Sequence, residues 1–374
     1  MAYQVKFVDP ARLYLTIKEE LDAAYFEVMS KGDLIDRGQL KRFEENLAAF
    51  VGTKYAVGLN SGYDALHMSL RAAGIGPADE VIVPAHTFVA TCSAVVNINA
   101  TPVLVDVGKD FNIDVEKIEE AITPKTRGLI PVHLSGYMAD MVRVMEIAAK
   151  YNLVVVEDAC QSLGSSMENP KTKERLSAGA WGLTGCWSFY PFKILGGYGD
   201  GGAITTNDPE VALFATRMRY NGEDRQTGEY HGHGFTCLLD NLQAAFLDVK
   251  LRHLPTWIVR RKQIAAKYQQ ALSDLPDLLL PHYNDPRRDH VYQNYTLRSK
   301  QGSEFSDFLK ANGVEVLTQF RKPYYKHEAL KLVDRGFPET EILSREVCSL
   351  PMNVEITDKE VEYVIRAVRR FYGK

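Results

Sequence analysis

Between residues 50 and 206, short apolar runs alternate with stretches in which apolar residues recur every three or four positions. The runs are Tyr55–Gly58, Val81–Pro84, Pro102–Val105, Gly128–Val132, Leu153–Val156, Gly185–Phe189 and Gly202–Thr205. Most are rich in Val and Ile and lack a polar face, the pattern of strands covered on both sides. Between them, Tyr63–Ala73 sets Ala65, Leu66, Ser69, Leu70 and Ala73 on one helical face. Asp140–Tyr151 does the same with Met141, Val144, Met145 and Ala148. The alternation predicts an α/β fold with a mostly parallel central sheet and helices on both faces.

After Leu239 the texture changes. Asp240–Leu251 reads as one helix, and Pro255 as the opening of a second that runs to about Leu272, because proline is tolerated in a first turn. A strand at Tyr292–Leu297 then mixes with helices at Glu304–Asn312 and Asp358–Tyr372. The expectation is a large domain over residues 1–249 and a smaller α+β domain over 250–374, with a helix at 14–30 packed on one of them. Glu168–Arg175, polar and containing Asn169-Pro170, reads as an exposed loop.

Charge narrows the partners. The 374 residues carry 44 Lys and Arg against 48 Asp and Glu, a formal net charge of -4, which offers no excess of positive charge to nucleic acid or a membrane surface. Hydrophobic residues make up 45%, too many for a disordered chain. No apolar run reaches the ~20 residues of a spanning helix, and the first residues lack an apolar signal core. The five cysteines are scattered without zinc spacing, so the expectation is a reduced cytoplasmic protein with no metal site.

Three segments suggest chemistry. Asn60-Ser61-Gly62-Tyr63-Asp64 follows a strand and opens a helix, whose unpaired N–H groups and dipole suit a phosphate. Simple N-capping by Ser61 explains the same residues. Leu153–Val156 ends in Glu157-Asp158, acids at the carboxyl end of a buried strand, where open α/β sheets place ligands. There a carboxylate needs a cationic partner, a helix cap or an ion pair. Lys193 is the only charged residue between Arg175 and Asp200, in an apolar, aromatic, glycine-rich stretch. Such surroundings prepare a lysine for Schiff-base chemistry; a solvated loop lysine is the plain alternative. Together the three supply what pyridoxal phosphate needs: an anion cradle, a carboxylate for the ring nitrogen and an amine.

With these motifs the chain resembles the DegT/StrS family of sugar aminotransferases, fold-type-I enzymes dependent on pyridoxal phosphate. The matching stretches are Ser61–Leu66, Pro84–Thr91, Glu157–Gln161, Ser188–Lys193 and Gly199–Ala203, and the similarity runs from about residue 10 to the C-terminus. The resemblance implies that Lys193 carries the cofactor as a Schiff base and shuttles protons, that Asp158 pairs with the pyridinium nitrogen, and that Gln161 lies near the phenolic oxygen. Phe88 would stack on the ring, although core packing explains it equally well from the sequence. Ser61, Gly62, the backbone of Tyr63 and Ser188 would hold the phosphate. A homodimer with shared active sites is implied, as is cycling between pyridoxal and pyridoxamine phosphate.

The chain departs from the family pattern in three places. Tyr63 stands where relatives often have Thr. In Gly234–Asp240, Thr236 replaces an Asn that reaches the partner's cofactor phosphate, and Leu238 replaces an Arg suited to a sugar carboxylate. Gln319 stands where relatives often have His. Tyr190, Leu238, Gln319 and Arg321 are the substrate-side candidates. The reaction that the resemblance implies moves an amino group from glutamate to a keto-sugar, with a nucleotide-linked sugar as the expected form. The alternatives are an unactivated keto-sugar or keto-cyclitol substrate, a sugar dehydratase, and a regulator without turnover. Lys193 argues against the dehydratase, because relatives that dehydrate tend to have His there.

Overall fold

A seven-stranded sheet organises most of the chain in the computed structural model, which describes residues 3–281 and 285–374. In chain order the elements begin with α1 (Pro10–Thr16), α2 (Lys18–Lys31), α3 (Gly38–Val51), β1 (Tyr55–Leu59), α4 (Gly62–Ala72), β2 (Glu80–Pro84), α5 (Val89–Val96) and β3 (Thr101–Val105). They continue with β4 (Thr126–Leu129), α6 (Met141–Tyr151), β5 (Val154–Asp158), the hairpin strands β6 (Ser166–Glu168) and β7 (Arg175–Ser177), β8 (Thr184–Ser188), β9 (Gly202–Thr206) and α7 (Pro209–Met218). The rest comprises β10 (Glu223–Asp224), β11 (Glu229–Tyr230), α8 (Asn241–Leu272), β12 (Leu278–Leu279), β13 (Tyr295–Ser299), α9 (Ser303–Ala311), α10 (Pro338–Glu346), β14 (Val347–Leu350) and α11 (Asp358–Phe371).

The seven apolar runs are the seven strands of the large sheet, in the order β1-β9-β8-β5-β4-β2-β3. Only β9 runs against its neighbours; the pairs from β8 across to β3 are parallel. Successive residues feed opposite layers. Ile82, Val155, Trp187 and Ala203 enter one core, while Val81, Val83, Val156, Cys186 and Ile204 enter the other. That two-sided burial is why the strands read as continuous apolar runs. A separate core gathers around the antiparallel sheet β12-β13-β14, α9 and α11.

Three boundaries differ from expectation, each for a local reason. The run expected at Gly128–Val132 stops as a strand at Leu129, because Pro131 has no N–H to offer the ladder. Pairing resumes only as the single bridge Val132–Asp158. The helix expected at 14–30 is two helices, broken at Ile17 (φ -129°, ψ 27°). Asp9 caps the first with Pro10 at its start, and Ile17 is buried with Leu21, Ala24 and Val28 against Ala245 and Val249 of α8. Finally, α8 is one helix of 32 residues that passes through Pro255. An internal proline costs roughly 3 kcal/mol. Buried residues on both sides offset it: Leu247, Leu251 and Leu254 in the large core, and Ile264, Tyr268 and Leu272 in the small one. The position expected to divide the chain, 249/250, falls inside this helix, which joins the two cores. Among the described residues no helix is long and apolar enough to cross a membrane.

The acidic pair that ends β5 splits into two jobs. Glu157 is fully buried and points into the structure. It accepts backbone N–H groups from Gly179 (2.9 Å), Trp181 (2.7 Å) and Gly182 (2.8 Å), and Nε2–H of His133 at 3.0 Å. Nδ1 of His133 accepts the N–H of Ala139 (3.2 Å), so the network assigns the ring proton to Nε2. Glu157 thereby ties the turn before β8 to β5. Glu157→Ala should leave one buried and two part-buried N–H groups unpaired and destabilise the fold by about 3 kcal/mol or more in urea unfolding. A loss below about 1 kcal/mol would contradict this role.

Candidate active site

The carboxyl ends of the parallel strands open onto one cleft of about 910 Å³. After β1 comes Ser61, after β2 Phe88, at the end of β5 Asp158, at the end of β8 Ser188, and after it the loop carrying Lys193. This is where an open α/β sheet places a ligand. The cleft is lined by Ser61, Gly62, Tyr63, Phe88, Asp158, Gln161, Ser188, Tyr190, Lys193 and Gln319. The structure thus brings together ten of the thirteen residues singled out in the sequence.

Asp158 is 6% exposed and faces the cleft. Its Oδ2 accepts the hydroxyl of Thr91 at 2.8 Å, and its Oδ1 accepts the N–H of Cys160 at 3.3 Å. Among the described residues it has no cationic partner. Lys193 is half-buried on the same cleft, and among the described residues it too makes no ion pair. The Cys160 thiol is pushed well up by burial and by Asp158, while Lys193 acts on it in the opposite sense. One sulfur therefore feels both charges.

Ser61 caps α4: its Oγ accepts the N–H of Asp64 (3.1 Å) and donates to the Asp64 carboxylate (2.7 Å). Burial, with help from nearby Asp200, raises the Asp64 carboxyl above its ordinary range. Gly62 has a reason other than close ligand approach. A Cβ there would lie 2.7 Å from Sγ of Cys160 and 2.8 Å from Cβ of Ser188. The glycine lets the start of α4 nest against the ends of β5 and β8. Tyr63 turns its side chain aside, stacked on His67 at 5.9 Å with its hydroxyl accepting from Asn97 at 2.6 Å. Only its backbone is left for an anion at the helix start.

Phe88 is 59% exposed, which excludes plain core packing and leaves the ring bare to the cleft. Gln161 uses its Oε1 to accept the N–H of Ser135 (2.8 Å), which leaves its NH2 for the cleft. Tyr190 is exposed and meets Phe192 edge-on at 5.3 Å.

Thr236, Leu238 and Arg321 do not line their own chain's cleft. Thr236 is exposed and donates to Asn221 (3.2 Å). Leu238 pairs with Leu59 and packs on the core. Arg321 is exposed and donates to Ser306. Three features of the site were given no role from the sequence, although the first lies in the matching stretch Pro84–Thr91. Thr91, one turn into α5, holds Asp158, and a polar residue on that apolar helix was the available signal. Gln293 and Asn294 enter the cleft from ahead of β13, and residues 3–10 form its rim. That rim is strapped down by the Val5–Val314 bridge and by the Phe7 N–H bond to Glu315 (2.8 Å). Pairings across some 300 residues leave no local trace.

The DegT/DnrJ/EryC1/StrS aminotransferase family model matches residues 15–369. A dTDP-3-amino-3,4,6-trideoxy-alpha-D-glucose transaminase of Streptomyces venezuelae is 39% identical over 374 residues, covering 98% of this chain and 96% of its own. A Geobacillus stearothermophilus protein named pleiotropic regulatory protein is 36% identical over 373 residues and covers 98% of each chain. The crystal structure of S. venezuelae DesV in complex with a ketimine intermediate matches with a TM-score of 0.94 and 38% identity over 100% of both chains.

The packing at Gly62 makes a prediction. Gly62→Ala should force α4 away from Cys160 and Ser188 and destabilise the fold by roughly 1–3 kcal/mol. Urea unfolding measures it, and unchanged stability would refute the close fit.

Proposed function

The chain belongs to the DegT/DnrJ/EryC1/StrS aminotransferase family, and from that premise we propose that it moves an amino group from glutamate to a nucleotide-linked keto-sugar with pyridoxal phosphate as cofactor. The observation that carries the reading is the pair Asp158 and Lys193 on one cleft, a buried carboxylate and an amine that make no ion pair among the described residues. When bound, pyridoxal phosphate supplies an aldehyde that takes up amines and a protonated ring that accepts the electron pair released beside the nitrogen.

In this reading Asp158 keeps the ring nitrogen protonated, and Thr91 keeps Asp158 aimed. Lys193 would hold the cofactor through its amine and, once displaced by the substrate's amine, would carry the proton that moves in each half-reaction. The free NH2 of Gln161 donates to the phenolic oxygen, and the bare face of Phe88 stacks on the ring. Ser61, Ser188 and the backbone N–H groups of Gly62 and Tyr63 hold the phosphate at the start of α4. Thr236 serves the partner's phosphate in a homodimer. Exposed Phe26, Met29, Leu34 and Ile35, on α2 and the turn after it, support such an interface. Tyr190 and Gln319 face the sugar.

The substrate's ring is neutral, in our reading a 6-deoxy or hydroxymethyl keto-hexose. Among the described residues the cleft carries Asp158, Asp200 and Glu315 against Lys6 and Lys193, and no arginine. Lys6 is paired with Asp9 at 3.0 Å. Leu238 supplies no donor and Arg321 is held by Ser306, so a uronic acid carboxylate would find no bidentate partner. The name of the Geobacillus relative raises a regulatory role; Asp158 and Lys193, which make no ion pair among the described residues and share one cleft, favour turnover.

Two measurements check this. The loaded protein should be yellow and bleach with glutamate, and Lys193→Ala should abolish both the band and turnover. An unchanged band with retained turnover would remove Lys193 from its role. In direct competition, a nucleotide-linked 6-deoxy keto-sugar should show the higher kcat/KM over its keto-uronic counterpart. The reverse order would overturn the neutral-ring reading and direct mutagenesis to Arg321.

A further inference from the structure

The loop that carries Lys193 is held in the middle by one side chain from outside the large sheet. Oε1 of Gln293 accepts the N–H of Ile194 at 2.5 Å, and Nε2 of Gln293 donates to the carbonyl of Phe192 at 3.0 Å. Both neighbours of Lys193 are therefore bonded to a single amide, 99 and 101 residues away in sequence. Gln293 is 6% exposed, so these bonds lie largely out of water. Its own backbone is fixed in turn. Arg261 of α8, also buried, donates to the carbonyls of Tyr292 (2.9 Å) and Gln293 (3.2 Å). The next residue, Asn294, donates its N–H to the carbonyl of Ser135 (3.4 Å), whose own N–H holds Gln161. The loop's ends are secured separately: the Lys193 N–H bonds Tyr190 (2.8 Å), the Gly197 N–H bonds Phe189 (2.7 Å), and Lys250 donates to the Gly196 carbonyl (2.6 Å). Among the described residues, Gln293 alone bridges the peptides on either side of the lysine.

We infer that Gln293 is a positioning residue that sets the base of the Lys193 side chain, coupling the approach of the small core to the aim of the amine. The inference rests on Lys193 being the Schiff-base lysine. A lysine side chain is a flexible four-carbon stem, so the direction of its amine is controlled where the stem leaves the backbone. Without the amide, the buried Ile194 N–H and the Phe192 carbonyl lose their partners, and the loop relaxes to find others. Gln293 lines the cleft, but its amide spends an acceptor on Ile194 and a donor on Phe192, so the role assigned to it is directional.

The test compares wild type, Gln293→Met and Gln293→Glu. Methionine keeps the length and apolar bulk without either hydrogen bond, and glutamate keeps the acceptor but not the donor. Hydrogen–deuterium exchange of a peptide spanning 190–197, in cofactor-free protein, reads the loop directly. Borohydride reduction of the loaded protein followed by peptide mapping reads where the cofactor attaches. Gln293→Met should exchange faster at the Ile194 amide with the rest of the sheet protected. Its kcat should fall on the order of 100-fold while KM for glutamate stays within about threefold, as expected when a reacting group is misaimed and substrate binding is intact. Gln293→Glu should lie between the two, and it carries the test if the Met variant does not fold. Wild-type exchange and kcat in both variants would overturn the proposal. Reductive attachment at a lysine other than Lys193 in wild type would instead overturn the reading on which the clamp rests, and the clamp with it.

Discussion

A carboxylate held almost out of water at the end of β5 is the constraint around which the cleft is built. Burying a charge is costly unless something pairs with it. Glu157 meets that demand inside the protein, with three backbone N–H groups and His133. Its neighbour Asp158, one residue on and on the opposite face, receives, among the described residues, the Thr91 hydroxyl and one long bond from Cys160. Because a strand alternates its side chains, adjacent acids cannot share an environment. The first becomes a structural knot and the second faces the cleft. The ring nitrogen of the proposed cofactor would be its complement.

The rest of the site follows from what surrounds that carboxylate. Parallel strands deliver their carboxyl ends to one edge of the sheet, so residues 61, 88, 158 and 188 converge although they are distant in sequence. Gly62 allows α4 to nest against β5 and β8, which brings the positive end of a helix beside the same opening. Phe88 remains uncovered because it stands before α5, outside the layer that buries Thr91 and Cys92.

Much of this was legible in the chain. Apolar runs marked all seven strands because burial on both faces leaves no polar alternation to confuse the pattern. Lys193 stood out by its isolation, and Asp158 by its place after a Val-rich run. The features that were not legible depend on distant partners. Pro255 looked like a helix start, since nothing local says that two cores grip α8 from either side. The structural task of Glu157 could not be read, because its backbone N–H partners lie 22 to 25 residues on. Gln293 and the strap at residues 3–10 reach the cleft through pairings some 100 to 300 residues apart, and no periodicity records these.

The central claim is that Asp158 is where the protein holds the ring nitrogen's proton. Stopped-flow absorbance of the glutamate half-reaction in Asp158→Asn tests it most directly, because an amide preserves shape and hydrogen bonding to Thr91 but not the charge. If the carboxylate holds that proton, the variant still binds pyridoxal phosphate while the half-reaction slows by orders of magnitude. A rate near that of wild type would contradict it.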